Sequence, residues 1–513
     1  MDEQITAAWA LLPDYLGQHV VLSASALLLG LVISLPLAVA AARRPAVRWP
    51  LMAAAGLVQT IPGLALLALF YPLLLALSAF SRQVGGSGFA ALGFLPSLLA
   101  LTLYSMLPIL RNGVAGLTGV DRAVLEAADG VGMTPAQRLW QVEAPLAAPV
   151  VMAGVRTAAV WTIGAATLST PVGQTSLGNY IFSGLQTENW VFVLFGCAAA
   201  AGLALIVDGL LGLVEAGARL RDRRRIIVGV AGLAAGATFA LAPLAMAGGQ
   251  PAYVIGAKNF SEQFILADLM QSRLEAAGAS VRRTDGLGSA VAFRALAGGE
   301  IDAYVDYSGT LWTNVLQRAD TPPREVMLAE LGKALKTRYG VTQLGPLGFE
   351  NAYALAMRRD AAQRLGIKSL ADLQGRSGQL VLGGDLEFLA RPEWKAIEAA
   401  YGLKFKAQKS YNPTFMYRAV QAGEVDVISA FSSDGRIASQ DLVVLSDPEG
   451  AIPSYDAVLL LAPGRSDDRR LVGALSPLIG TIAVERMRQA SLMVDRDVDK
   501  RSPAQAARWL ARR

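Results

Sequence analysis

The sequence predicts a polytopic α-helical membrane half followed by a water-facing, two-lobed α/β half. Three observations carry that prediction. Six apolar stretches in the first half are each long enough to cross a bilayer. Of the 513 residues, 53% are hydrophobic, too many for an ordinary soluble chain, yet 17% are charged, too many for a chain wholly in lipid. The charge is also segregated. The first 249 residues hold 13 Arg, 11 acidic residues and no Lys, whereas all nine Lys fall in the remaining 264.

The spans are expected near 19–41, 51–79, 93–110, 148–172, 190–214 and 226–247. The second carries Pro62-Gly63 and Pro72 and should be broken or tilted there. The fourth carries Thr157, Thr162, Thr167, Ser169 and Thr170, which either face a neighbour or a pathway or bond back to their own helix. Positive charge falls after every second crossing. Arg43, Arg44 and Arg48 follow the first, Arg111, Arg122 and Arg138 the third, and Arg219 with Arg221 to Arg225 the fifth. Loops rich in Arg stay inside, so the N-terminus with Asp2 and Glu3 is expected outside, as is everything after about residue 250. The last span has a second reading. Its Arg cluster, the apolar run from Ile226 to Leu244 and Ala245-Met246-Ala247 have the layout of a signal peptide. A retained span is the expectation, because it would tether the second half to the first; cleavage is the alternative.

Between the third and fourth spans lies a polar, helix-forming interruption. It reads Glu126-Ala127-Ala128, three residues, Gly132, nine more, then Val142-Glu143-Ala144-Pro145. This stretch resembles the cytoplasmic coupling loop of binding-protein-dependent ABC importer permeases, E-A-A-x3-G-x9-I-x-L-P, with Val142 for the Ile and Ala144 for the Leu. The resemblance implies a type I permease domain over 1–218 with its coupling loop at 121–146. It also implies multi-pass residence in the cell (inner) membrane, in contact with lipid, and a second permease copy or a paralogue as partner. Glu126, Ala127, Ala128, Gly132 and Pro145 would couple it to a separate ABC ATPase. No Gly-x4-Gly-Lys-Ser/Thr phosphate loop occurs in the chain, which agrees with an ATPase on another chain. His19 is the single histidine and Cys197 the single cysteine, so neither a metal cluster nor a disulfide framework is expected, and no cofactor. The net charge of +5 comes largely from Arg beside membrane spans and does not point to nucleic acid.

In the second half, short apolar strands alternate with amphipathic helices: Tyr253–Ile255 then Glu262–Ala277, Leu380–Leu382 then Pro392–Tyr401, then Val425–Ala430. That alternation predicts an α/β domain with mostly parallel sheet. An internal repeat locates a site. The segment from Phe293 to Asp302 matches the one from Tyr417 to Asp426 at an offset of 124, and the same offset places Tyr307 on Phe431 and Ser308 on Ser432. Each copy reads as helix, Gly-Glu turn, strand, then an aromatic and a hydroxyl at the strand's carboxyl end, where open α/β sheets bind ligands. Two similar lobes over a cleft follow.

Five motifs in this half sharpen the reading: Ala257-Lys258-Asn259-Phe260-Ser261-Glu262-Gln263, Asp306-Tyr307-Ser308-Gly309-Thr310, Asn351-Ala352-Tyr353-Ala354-Leu355, Ser433-Asp434-Gly435 and Pro453-Ser454-Tyr455. Together they resemble the periplasmic-type binding proteins for quaternary-ammonium osmoprotectants such as glycine betaine, choline and carnitine. The resemblance covers roughly 252–510. It implies a clamshell over 251–513, with lobe 1 at about 251–352 and 458–513 and lobe 2 at about 353–457, joined to the permease by an Arg-rich linker and sixth span at 219–250. It also implies an aromatic cage of Tyr307, Tyr353, Phe431 and Tyr455, with Phe431 departing from the usual Tyr. A trimethylammonium group cannot donate hydrogen bonds, and ring faces hold it at about 0.5–2 kcal/mol each. Lys258 and Arg391 match positions that hold a ligand carboxylate, and Thr310 a nearby polar contact. Tyr253, Tyr304, Tyr401, Tyr417 and Trp312 read as packing. The expected activity is ATP-driven import of a quaternary-ammonium compound. Import of ergothioneine or another betaine-like nutrient is the near alternative, and a ligand sensor or ligand-gated channel the distant one.

Overall fold

A computed structural model describes residues 2–85, 89, 91–187, 189–246, 252–318, 320–496 and 499–512. The chain forms two compact units, Met1–Ile181 with Val191–Gly249 and Phe182–Trp190 with Gln250–Arg513.

The first unit is helical. Its elements are α1 (Asp2–Arg43), α2 (Pro45–Thr60), α3 (Gly63–Gly85), α4 (Phe94–Thr118), α5 (Arg122–Gly130), α6 (Pro135–Arg138), α7 (Ala144–Ala166), the start of α8 (Gly178–Gln186), α9 (Trp190–Leu220) from Val191 onward and α10 (Arg223–Met246). Among the described residues, six helical segments are long and apolar enough to cross a membrane: Gln4–Arg43, Gly63–Gly85, Phe94–Thr118, Pro135–Val172, Trp190–Leu220 and Arg223–Ala242. The break expected at Pro62 is there. Ile61 is extended (φ −76°, ψ 126°), because a residue before proline is pushed out of the helical region. The stretch 51–79 therefore becomes two helices, of which only α3 reaches crossing length. Ala247, which ends the small-residue triplet after the sixth span, lies outside the described residues.

α4 packs against both α1 and α7. Small residues allow the approach. A Cβ at Gly154 of α7 would lie 2.6 Å from Asn112 Cβ and 2.7 Å from the Pro108 carbonyl on α4. One set of charges in the spans is paired: Arg156 on α7 meets Asp208 and Glu215 on α9, each at 2.8 Å.

Among the described residues, the second unit holds two five-stranded sheets. The strands are β1 (Tyr253–Lys258), β2 (Val281–Leu287), β3 (Ala303–Tyr307), β4 (Thr342–Glu350), β5 (Tyr353–Arg358), β6 (Val381–Asp385), β7 (Ala407–Tyr411), β8 (Val427–Phe431), β9 (Leu442–Val444) and β10 (Asp456–Leu461). Their orders are β2-β1-β3-β10-β4 and β7-β6-β8-β5-β9. The expectation of mostly parallel sheet is corrected here, since both sheets are mixed. β1 pairs parallel with β2 and β3, and β6 with β7 and β8, but β10 runs antiparallel to β3 and β4, and β5 to β8 and β9. β5 and β10 are the strands that enter one sheet directly from the other. They arrive without a helical crossover, so nothing imposes the parallel sense that a βαβ unit requires.

The repeat is structural. Helix α11 spans Ser261–Ala276 and helix α12 spans Ser289–Gly298. α12 turns through Gly299 (φ 77°) into β3, and helix Pro413–Gln421 turns through Gly423 (φ 74°) toward β8. Both turns need the left-handed region that glycine enters freely. Asp302 then accepts the Val254 N–H at 2.6 Å, and Asp426 accepts the Val381 N–H at 2.8 Å. Each carboxylate pins the start of the neighbouring parallel strand, which sets the register of that pair.

Candidate functional site

The two sheets present the same kind of edge to one cavity. Lys258, Tyr307, Asp385, Tyr411 and Phe431 are the last residues of β1, β3, β6, β7 and β8. Tyr353 opens antiparallel β5, and Tyr455 immediately precedes antiparallel β10, so both reach the same edge. The cavity measures about 290 Å³, and all seven sequence-predicted residues line it: Lys258, Tyr307, Thr310, Tyr353, Arg391, Phe431 and Tyr455.

The rings form one cluster. Tyr353 sits 4.8 Å from Phe431 and meets Tyr455 edge-on at 5.8 Å. A fifth ring, absent from the predicted set, completes it. Phe260 lies parallel to Phe431 at 5.8 Å and stacks on Tyr307 at 6.1 Å. Phe260 caps the N-terminus of α11 with extended backbone (φ −149°), and this turn carries its ring into the cavity. Phe260 and Phe431 are half-buried, whereas Tyr307, Tyr353 and Tyr455 are buried.

The hydroxyls of two cage tyrosines are held by acids. Tyr307 donates to Glu262 at 2.5 Å and accepts from Gln263 at 2.9 Å. Tyr455 donates to Glu393. Glu262 also accepts from Asn351 at 3.2 Å and Ser433 at 2.5 Å. Burial pushes the Glu262 carboxyl up to about 7 against these three donors. Burial likewise raises Asp385, opposed by the Phe388 backbone N–H.

Both predicted cations already face protein carboxylates. Lys258 forms a buried ion pair with Asp306, which also accepts from the Tyr304 hydroxyl at 2.5 Å. Arg391 pairs with Glu387 at 2.6 Å and Glu393 at 3.2 Å, and donates to Thr310 at 3.2 Å. Each cation also lies over a cage ring, Lys258 5.2 Å from Tyr307 and Arg391 4.9 Å from Tyr353. Among the described residues, five acids line the cavity (Glu262, Asp385, Glu387, Asp434 and Asp495) against three cations, Lys258, Arg391 and Arg436. An acid-leaning cavity walled by rings suits a cationic head group with no hydrogen to donate.

The loop of the helical unit is a second candidate site. Asp121 caps α5 by accepting the Ala123 N–H at 2.9 Å, and Thr134 with Gln137 forms a capping box on α6. Between them Gly132 takes φ 79°. Ala128 is buried, and Pro145 stands in the first turn of α7. Glu126 is exposed and pairs with Arg122 at 3.0 Å. The sequence reading missed the clamp: Arg138 ties Asp129 at 2.6 Å to Glu143 at 2.8 Å, closing the loop on itself. It also missed Val131 and Trp140, large apolar side chains each 74% exposed beside it.

Residues 251–512 match the family described as the substrate binding domain of an ABC-type glycine betaine transport system. Residues 30–220 match the binding-protein-dependent transport system inner membrane component. The chain belongs to the ABC importers, as a permease fused to a betaine-type binding domain. The fusion is shared. The ergothioneine transport permease/ergothioneine binding protein EgtU of Helicobacter pylori (strain G27) is 28% identical over 419 residues, covering 78% of this chain and 72% of that one. Over the permease half, the choline transport system permease protein OpuBB of Bacillus subtilis (strain 168) is 38% identical over 198 residues, 39% of this chain and 84% of its own. The glycine betaine/carnitine/choline transport system permease protein OpuCB of the same strain is 38% identical over 199 residues, 39% of this chain and 84% of its own.

Proposed function

We propose that this importer captures a quaternary-ammonium compound outside the cell membrane and passes it inward. A separate ATPase would act on the 121–146 loop, and a second permease copy or paralogue would complete the pathway. The observation that carries the ligand class is the five-ring cluster over an acid-leaning cavity. Tyr307, Tyr353, Phe431 and Tyr455, joined by Phe260, would hold the ammonium group. Lys258, Arg391 and Thr310 would receive a ligand carboxylate where there is one, in competition with Asp306 and Glu393. Choline, glycine betaine and carnitine, named for the permease relatives, all fit this chemistry. Ergothioneine is the second reading, favoured because the relative named for it aligns across both halves.

The test is calorimetric binding of full-length protein in nanodiscs to a panel of choline, glycine betaine, carnitine, proline betaine and ergothioneine. Micromolar binding of one member, weakened at least tenfold by Tyr455→Ala, supports the reading; no binding to any member sinks it. ATPase docking is tested separately. Trp140→Ala should leave the Kd unchanged and lower ligand-stimulated ATP hydrolysis several-fold in the reconstituted complex. Uptake into vesicles distinguishes an importer from a ligand sensor.

A further inference from the structure

Glu262 occupies a junction that the cage does not explain. It stands on α11, which packs on the sheet holding β1 and β3. Its Oε1 accepts from Tyr307 on that same lobe and from Asn351, which lies between β4 and β5 where the chain crosses between sheets. Its Oε2 accepts from Ser433, two residues beyond β8 on the opposite sheet. One buried carboxylate thus touches a cage ring, the crossing strand and the far lobe. We propose that Glu262 is the positioning residue that latches the two lobes together and makes closure of the cleft proton-linked. This deepens the proposed function and rests on the cleft being a ligand clamp.

The charged groups around Glu262 are accounted for. From β1 and β3, Lys258 and Asp306 neutralise each other. From the loop after β8, Asp434 faces it but is paired with Arg436 at 2.7 Å. From helix Val484–Asp495, Asp495 accepts from Ser261 on the same lobe, so that bond survives opening. Opening would take Arg436 away from Asp495 while admitting water, two effects of opposite sign on its proton affinity. Opening would remove Ser433 from Glu262 and hydrate it.

The sign follows from burial. In the closed cleft the Glu262 carboxyl sits at about 7, above its ordinary value of 4.5. The closed state therefore binds the proton more tightly than the open one, and closure is favoured as pH falls from 8 and weakened as pH rises through 7. The hydroxyls of Ser433 and Tyr307 can rotate to accept, so a protonated Glu262 keeps its bridge. Between pH 8 and pH 6 this linkage tightens ligand binding about tenfold.

Two measurements on the full chain in nanodiscs test the latch. The first is the Kd of the tightest panel ligand at pH 6 and pH 8. Wild type should change about tenfold, and Glu262→Gln, a fixed neutral isostere, should be flat and bind more tightly than wild type at pH 6. Ser433→Ala should weaken binding severalfold at pH 6. An unchanged pH ratio in Glu262→Gln overturns the latch. The second needs no ligand: electron–electron distances between labels at Lys333→Cys and Lys395→Cys in a Cys197→Ser background. Both lysines are exposed and lie on opposite lobes. The distribution should shift to shorter distances at pH 6 in wild type and not in Glu262→Gln. The same distribution at both pH values in wild type overturns the latch. If no panel member binds but the distances shift, the ligand reading fails and the latch stands.

Discussion

The two copies of the repeat share a backbone and differ in what they do with the aromatic at its end. In the first copy Tyr307 is buried and its hydroxyl is fixed by Glu262 and Gln263. In the second, Phe431 has no hydroxyl, stays half-buried, and meets the rings of Phe260 and Tyr353. The register device is the same in both, an aspartate pinning the neighbouring strand. One copy has become a rigid wall bonded into its lobe, and the other a ring face free to adjust. The repeat supplies placement, and the partners around each ring decide its role.

The strongest way to break this comparison is to remove each ring. Tyr307→Ala deletes a cage face and one donor to a buried carboxylate, a loss of about 3–4 kcal/mol that should weaken ligand binding more than a hundredfold. Phe431→Ala deletes a ring face and no hydrogen bond, so about 1–2 kcal/mol, or roughly tenfold, is expected. Calorimetry on the two variants decides it, and equal losses would mean that the hydroxyl network does not matter. A smaller difference should separate the two aspartates. Asp302 is buried and bonds both Val254 and Arg465 (2.7 Å), whereas Asp426 is exposed. Asp302→Ala should cost about 2 kcal/mol in chemical denaturation of the binding domain and Asp426→Ala about 1 or less. Reversal of that order would mean that the second lobe is the less tolerant one.

Much of this was legible in the sequence. Six spans follow from apolar length alone, and the kink at Pro62 from proline chemistry. The repeat was visible because Gly-Glu-x-Asp must keep both its left-handed glycine and its strand-pinning carboxylate. Other features leave no local signal. Strand direction in β5 and β10 is set by topology. The pairing of Lys258 with Asp306 joins residues 48 apart, so the lysine read as a free cation. Phe260 and Glu262 stood inside a quoted motif, but a single aromatic in a helix cap and a single glutamate in its first turn carry no spacing that predicts a ring stack or a bridge. The Arg138 clamp was missed because its partners lie on either side of it in the loop.

The finest test exchanges the hydroxyl. Tyr307→Phe keeps the ring and strips one donor from Glu262, leaving Ser433 and Asn351 as its donors and the Gln263 amide without its acceptor. A hydrogen bond to a charged group contributes about 1.5–3 kcal/mol, so binding should weaken by about tenfold or more. Phe431→Tyr does the reverse. The ring is already half in water, so the new hydroxyl can stay hydrated. Its effect on Kd should be under about threefold. The asymmetry predicts that the two substitutions do not compensate: the double variant should bind as weakly as Tyr307→Phe alone. Recovery in the double variant would show that the two ring positions are chemically interchangeable, and the distinction between a fixed wall and an adjustable face would fall.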